Sequence, residues 1–342
     1  MVTGQAPVQR LKIFLLIAAI SSAVYANSLS NSFHFDDQHY ITANPYIRDL
    51  SNIPSFFKST RYSSFELTFT GHYRPLLVAS YALNYAIGGL KPAGYHAVNL
   101  LFHVGSAFLV FLILEAMSTP ALSLPHQGGG KKGGGSAYIA VAAALIFAVH
   151  PFNSEVVNYI TARSSVMCAF FYLLSFYCWV KFRSQKTEVR NKKLEVRSQK
   201  LEDRSQKLED RSQKLEVRSQ KLEDRSQKLE DRSQKLEDRS QKLEDRSKMV
   251  FSNFLPLTSN FYLFSLLAFA LAMLTKEIAI TLPVALFLYD RYFLFPFKIS
   301  NLKHYLPFLL LVAGPYLTYR ILFQGGIVNS GNRDFYSNLL TQ

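Results

Sequence analysis

The stretch YHAVNLLFHVGSAFLVFLILEAM, residues 95–117, is apolar over nearly its whole length. An α-helix needs about 20 such residues to cross the hydrocarbon core of a bilayer, so this stretch predicts a membrane span. Further apolar blocks predict spans at residues 13–29, 137–149, 166–182, 254–274, 278–289 and 305–323. The sequence therefore predicts an all-α, polytopic helical membrane protein with about seven spans.

The overall composition supports a membrane protein. Of the 342 residues, 49% are hydrophobic, and the formal net charge is +14. Much of the positive charge lies in segments between apolar blocks, as in cytoplasmic loops, and not among aromatic residues of a soluble domain. We therefore expect membrane lipid and no nucleic acid as a partner. Cys168 and Cys178 lie inside one apolar block and cannot define a disulfide framework.

Charges at the N-terminus predict the orientation of the chain. Arg10 and Lys12 precede the first span, so the positive-inside rule predicts a cytoplasmic N-terminus and a first outside loop at residues 30–94. The tripeptide VYA at residues 24–26 also has the small-residue pattern of a signal-peptide cleavage site. The sequence thus leaves open whether the first span is retained, although we expect an anchor because further spans follow.

A charged insert repeats Arg-Ser-Gln-Lys-Leu-Glu-Asp every seven residues from about residue 187 to 248. A coiled-coil seam needs two apolar positions per heptad and only one is present, so a stable self-contained dimer is not favoured. A solvated helical spacer and a weak self-association arm both remain compatible with the repeat. We assign the insert to residues 183–250, in the cytoplasm, between a membrane module at 1–182 and its continuation at 251–342.

An acidic pair, Asp36-Asp37, lies in FHFDD at residues 33–37, just beyond the first span. Adjacent carboxylates cost little free energy at a wet membrane surface, where they could accept a proton or hold a divalent cation. A turn with two solvated acids is the alternative interpretation.

Other polar residues lie within or next to the apolar blocks. His96, Asn99 and His103 share one helix face, where they could hydrogen-bond between helices or contact a substrate. On the predicted topology the outward-facing segments carry Arg74, His150, Glu155, Arg163, Lys276 and Glu277. An arginine suits a phosphate because its fork donates two parallel hydrogen bonds. We assign no metal ligands, because no Cys, His and carboxylate cluster has a recognisable ligand spacing.

Several short motifs follow one another in an order that resembles a known family. They are FDD at 35–37, NPYI at 44–47, YRPL at 73–76, GYH at 94–96, NLLFH at 99–103, HP at 150–151 and TKE at 275–277. In this order they are similar to the transmembrane and tetratricopeptide-repeat-containing O-mannosyltransferase family and its bacterial relatives. The resemblance covers nearly all of the chain except the heptad insert and a glycine-rich linker, GGGKKGGG, at residues 128–135.

The resemblance implies a GT-C glycosyltransferase fold and inverting transfer of a sugar from a polyprenyl-phosphate donor to an acceptor. The acceptor would be a hydroxyl of a protein or glycan on the outer face of the membrane. Asp36 or Asp37 would be the catalytic base. The other residues implied in substrate binding are Arg74, His96, His103, His150, Glu155, Arg163, Lys276 and Glu277. A divalent cation at the acidic pair is the one cofactor considered, and we expect a bacterial inner membrane protein.

Members of that family continue with further spans and tetratricopeptide repeats. This chain has no helical repeat of about 34 residues, and the heptads are not a substitute. We therefore expect it to correspond to the front half of such an enzyme. The alternative is a non-catalytic truncated remnant, or a membrane scaffold that uses the heptad arm.

Overall fold

The computed structural model describes residues 5–64, 73–118, 135–222, 255–293 and 299–311. Every regular element within these ranges is helical. The α-helices are α1 Gln5–Val24, α2 Ile53–Phe56, α3 Pro75–Gly88, α4 Pro92–Met117, α5 Gly135–Val149, α6 Ser154–Asn158, α7 Arg163–Leu222, α8 Leu255–Met273 and α9 Leu282–Phe293. The chain divides into two compact units, Met1–Val180 with Phe264–Gln342, and Lys181–Leu263.

Three helical segments of the described ranges are long and apolar enough to cross a membrane: Pro7–Val24, Pro92–Met117 and Ile160–Leu208. A fourth span results if Ala137–Val149 and Pro151–Asn158, which are bent by 49°, are counted together. The chain is therefore a helical membrane protein, as predicted. The count of seven spans is not confirmed.

Short helices account for part of this difference. The predicted span at 278–289 is a 3-10 turn, Glu277–Thr281, followed by α9 with 12 residues. A helix of that length extends roughly 18 Å, whereas the hydrocarbon core is about 30 Å thick. Most of the predicted span at 305–323 lies outside the described residues.

Helix α3 was not predicted and lies within the segment assigned to the first outside loop. It begins with Pro75 in its first turn and ends before Gly89, whose φ of +61° favours glycine at a helix end. Its 14 residues are too few for a span, but one face packs into the protein interior, with Leu77, Tyr81 and Ala82 buried.

The heptads described by the structure form a helix. Helix α7 continues unbroken to Leu222, and the remainder of the predicted insert lies outside the described residues. Leu194, Leu201 and Leu208 are 52%, 57% and 65% exposed, so the apolar position of these heptads is not buried within the chain. A coiled coil is not confirmed, and self-association through the insert stays a prediction.

Small residues allow α5 to pack closely in the first unit. Ala140, Ala144 and Ala148 recur every fourth residue and are fully buried together with Ile17 of α1 and Ala107 of α4. Such close approach of backbones is a common source of helix association in membranes.

Buried polar contacts join the segments before and after the insert within the same unit. The Ser175 hydroxyl donates to the Ser265 carbonyl at 2.7 Å, and the Ser265 hydroxyl donates to the Ser175 carbonyl at 2.8 Å. Nearby, Trp179 Nε1 donates to Asp290 at 3.0 Å, and the Tyr305 hydroxyl donates to the other oxygen of that carboxylate.

Arg163, at the first turn of α7, is fully buried and joins three helices. Its Nε donates to Asn99 Oδ1 at 2.8 Å, and its two Nη atoms donate to Asn84 Oδ1 at 2.6 Å and to the Tyr95 carbonyl at 2.8 Å. The guanidinium also lies 4.8 Å from the centroid of the Tyr81 ring and 5.4 Å from that of Tyr95. Arg163 thus fastens α7 to α3 and α4.

We predict that Gly105→Ala destabilises the packing of α4 on α7. An added Cβ would lie 2.7 Å from Cε2 of Phe170, so the ring would have to move. Overpacking of this kind costs about 1–3 kcal/mol of unfolding free energy, measured in detergent. Gly94→Ala is the matched control in α4, because its Cβ would lie 3.7 Å from Asn84 Nδ2, an ordinary contact. Equal stability of the two variants would contradict the prediction.

We predict that Arg163→Lys lowers the unfolding free energy by about 2–4 kcal/mol, because one ammonium cannot satisfy three acceptors that point in different directions. Arg48→Lys is the control, since Arg48 is exposed and donates one hydrogen bond to the Thr42 carbonyl. We expect that control to change stability by less than about 0.5 kcal/mol. An Arg163→Lys variant as stable as the parent protein would show that the buried contacts are dispensable.

Candidate active site

A cavity of about 310 Å³ lies between the start of α3, the turn before α7 and the turn after α8. Its lining includes four charged residues, Asp36, Arg74, Glu155 and Lys276, and two tyrosines, Tyr40 and Tyr159. The four charged residues come from four separate segments of the sequence. The structure thus brings together four of the predicted site residues, two acids and two bases.

The two adjacent aspartates point in different directions. Asp37 is 1% exposed, and its Oδ1 accepts hydrogen bonds from the Thr161 amide at 2.9 Å and the Thr161 hydroxyl at 3.0 Å. Its Oδ2 accepts from the His34 amide at 2.9 Å. Asp36 is exposed and lines the cavity. Asp37 therefore fastens the turn to the segment before α7, and Asp36 faces the space where a substrate could bind.

Burial raises the pKa of the Asp37 carboxyl above its ordinary value, while the hydrogen bonds from His34 and Thr161 oppose this shift. The carboxylate form accepts those hydrogen bonds. Because its pKa is raised, the Asp37 carboxylate becomes protonated at a higher pH than that of an ordinary aspartate. Protonation removes the negative charge that strengthens the hydrogen bonds from His34 and Thr161.

The two basic side chains of the cavity are held by neighbouring polar groups. Lys276 Nζ donates to Ser165 Oγ at 2.8 Å. Arg74 Nη2 lies 2.9 Å from Glu277 Oε2, and the side chain of Glu277 is 59% exposed and does not line the cavity. The Leu76 amide also donates to the Leu274 carbonyl at 3.3 Å. These contacts fix both cations on the side formed by the turn after α8.

Three other predicted site residues are buried away from the cavity. His96 Nδ1 lies 3.2 Å from the Val157 carbonyl, and His103 Nε2 lies 2.8 Å from the Ala148 carbonyl. The sequence left two roles open for these histidines, hydrogen bonding between helices and substrate contact. In the structure both make hydrogen-bond contacts between helices. Arg163 is fully buried among helices, so its guanidinium does not reach the cavity.

His150 is exposed, and its Nδ1 accepts a hydrogen bond from the Phe152 amide at 3.2 Å. It caps the 3-10 turn Pro151–Asn153 and does not line the cavity.

Sequence reasoning missed most of the uncharged residues that line the cavity, among them Tyr40, Tyr159 and Thr161. Tyr159 and Thr161 lie between Glu155 and Arg163 in the sequence, and these two predicted residues were the available signal. Tyrosine and threonine are common in turns and at membrane interfaces, so their type alone could not single them out.

Both Asp37 oxygens accept hydrogen bonds, from Thr161 and from His34. Asp36 carries the carboxylate of the acidic pair that lines the cavity. Over the part of the chain that the structure describes, no three His, Cys, Asp or Glu side chains are grouped to hold a metal ion. The divalent cation stays a prediction without a defined site.

Comparison with known proteins identifies relatives for about half of the chain. The Protein O-mannosyl-transferase TMTC4 of Mus musculus is 33% identical over 169 residues, which cover 48% of this chain and 22% of that protein. The Protein O-mannosyl-transferase TMTC2 of Homo sapiens is 34% identical over 170 residues, 49% of this chain and 18% of that protein. The Protein O-mannosyl-transferase Tmtc1 of Drosophila melanogaster is 30% identical over 161 residues, which cover 46% of this chain and 17% of that protein.

No family model and no solved structure matches the chain. The chain spans about a fifth of the length of the curated relatives it matches. Within that extent, the chain resembles the transmembrane and tetratricopeptide-repeat-containing O-mannosyltransferases, as its ordered motifs predicted.

Proposed function

We propose that this chain is a membrane glycosyltransferase that moves a sugar from a polyprenyl-phosphate donor to a hydroxyl acceptor. The observation that carries the proposal is the cavity in which Asp36 lies with Arg74 and Lys276. Relatives named protein O-mannosyl-transferases support mannose as the sugar and a protein as the acceptor. The chain covers only part of those relatives, so activity of this chain alone belongs to the proposal.

Asp36 is the better candidate for the base. A hydroxyl is a poor nucleophile until a carboxylate accepts its proton. The Asp36 carboxylate is exposed at the cavity, whereas both Asp37 oxygens are occupied by His34 and Thr161. In the proposed step the acceptor oxygen bonds to the anomeric carbon with inversion, its proton passes to Asp36, and the carbon–oxygen bond to phosphate breaks.

The departing polyprenyl phosphate gains negative charge that nearby cations would stabilise. Lys276 and Arg74 supply these cations from one side of the cavity. The Arg74 fork already holds the Glu277 carboxylate, so a phosphate would share or replace that partner. Glu155 lies on the same cavity and would shape the acceptor side.

We further propose that the reaction takes place on the outer face of the membrane, with a cytoplasmic N-terminus. Arg10 and Lys12 ahead of α1 support this orientation through the positive-inside rule. Membrane lipid, the polyprenyl-phosphate sugar and a protein or glycan acceptor are the proposed partners, and a bacterial inner membrane is the proposed location.

We predict that Asp36→Asn lowers kcat by at least about 100-fold, because an amide cannot accept the proton of the acceptor hydroxyl. The measurement is transfer of labelled mannose from polyprenyl-phosphate mannose to serine- and threonine-rich peptides in proteoliposomes. We expect little change in unfolding temperature, since Asp36 is exposed.

Asp49→Asn is the matched control in the same loop, because Asp49 Oδ1 accepts from the Ser51 amide at 2.9 Å and asparagine caps equally well. We expect it to keep full activity. Undiminished transfer by Asp36→Asn would contradict the assignment of the base.

We predict that Lys276→Gln weakens binding of polyprenyl phosphate by roughly tenfold, because the phosphate loses one charge-assisted hydrogen bond. Binding is measured with a labelled polyprenyl phosphate in detergent. Lys58→Gln is the control, an exposed lysine of the first outside loop. The phosphate-binding role fails if both variants bind the lipid as the parent protein does.

A further inference from the structure

The turn that presents Asp36 has an unusual backbone conformation. Within the described ranges, one residue other than glycine has a positive φ. This residue is Phe35, with a φ of +46°. A bulky aromatic residue rarely adopts this left-handed conformation, which stores strain. The Phe35 side chain is 86% exposed, so burial of its ring does not compensate for the strain. Two backbone hydrogen bonds within the turn, from the Asp37 amide to the His34 carbonyl at 3.0 Å and from the Gln38 amide to the Phe35 carbonyl at 3.1 Å, hold part of it.

Tyr159 contacts this turn with both its hydroxyl and its ring. The Asp36 amide donates a hydrogen bond to the Tyr159 hydroxyl at 3.1 Å. The rings of Phe35 and Tyr159 meet edge to face, with centroids 6.4 Å apart. Tyr159 also lines the cavity, so it contacts the backbone of the candidate base at the edge of the substrate space.

The Tyr159 backbone is itself fixed from the protein interior. Its carbonyl accepts a hydrogen bond from Asn99 Nδ2 at 3.2 Å, and Asn99 Oδ1 accepts from Arg163 at 2.8 Å. Two residues later, Thr161 holds Asp37. The short segment from Tyr159 to Thr161 therefore holds both aspartates, one through its backbone amide and one through its carboxylate.

We propose that Tyr159 is a positioning residue for Asp36. Its hydroxyl and ring hold Phe35 and Asp36 in the left-handed turn that keeps the Asp36 carboxylate at the cavity. Without the hydroxyl the Asp36 amide loses its partner outside the turn, and the carboxylate spends less time in reach of the acceptor. This role rests on the proposed function, since it takes Asp36 as the base.

The test is Tyr159→Phe, which keeps the ring and removes the hydroxyl. We expect kcat for mannose transfer to fall roughly three- to tenfold, as for loss of one neutral hydrogen bond, with the donor KM and the unfolding temperature unchanged. A residue needed only for folding would instead lower the unfolding temperature. Tyr73→Phe is the matched control, because its hydroxyl donates to the Phe57 carbonyl at 2.8 Å in the same loop; we expect it to keep the parent kcat.

A second variant tests the strained turn directly. Asparagine adopts the left-handed conformation more readily than phenylalanine, so adding Phe35→Asn to Tyr159→Phe should restore part of the lost kcat. An unchanged kcat in Tyr159→Phe, or no recovery in the double variant, overturns the positioning role.

The Asp36→Asn variant separates this role from the proposed function. If Asp36→Asn abolishes transfer while Tyr159→Phe has the parent kcat, the positioning role alone fails. If Asp36→Asn transfers mannose as the parent does, the assignment of the base fails, and the positioning role falls with it.

Discussion

The fold around the cavity depends on one buried cation, the guanidinium of Arg163. Removing a charge from water is costly, and here the cost is offset by hydrogen bonds to two asparagine side chains and a carbonyl, and by two tyrosine ring faces. These partners belong to α3 and α4. Through Asn99 the same network reaches the carbonyls of Val156, Tyr159 and Ile160. Arg163 does not line the cavity, but through Asn99 it fixes the backbone of residues 159–161, which contact both aspartates.

The acidic pair illustrates how neighbouring identical residues acquire different tasks. Successive side chains of a turn point in different directions, so Asp37 is turned inward to Thr161 while Asp36 faces the cavity. The hydrogen bonds of Asp37 hold the turn in place. Asp36 needs a fixed turn as the proposed base, because a base must stay within hydrogen-bond reach of its substrate. Exchanging the two roles would require a different backbone turn.

Sequence reasoning predicted the membrane class and four residues of the cavity. Asp36, Arg74, Glu155 and Lys276 could be found because charges next to apolar blocks collect at the ends of spans, and the ends of neighbouring spans meet. The sequence could not separate a substrate-binding role from a role in helix packing for Arg163, His96 and His103. A sequence gives the helix face on which a residue lies, but not the neighbour that this face contacts. Helix α3 escaped notice because it is too short to span a membrane.

The contacts of Arg74 and Leu76 with the turn after α8 join positions about 200 residues apart in the chain. The reciprocal bonds of Ser175 and Ser265 close the same long loop further inside. We therefore expect that adding or removing whole heptads leaves these contacts, and the residues of the cavity, in place.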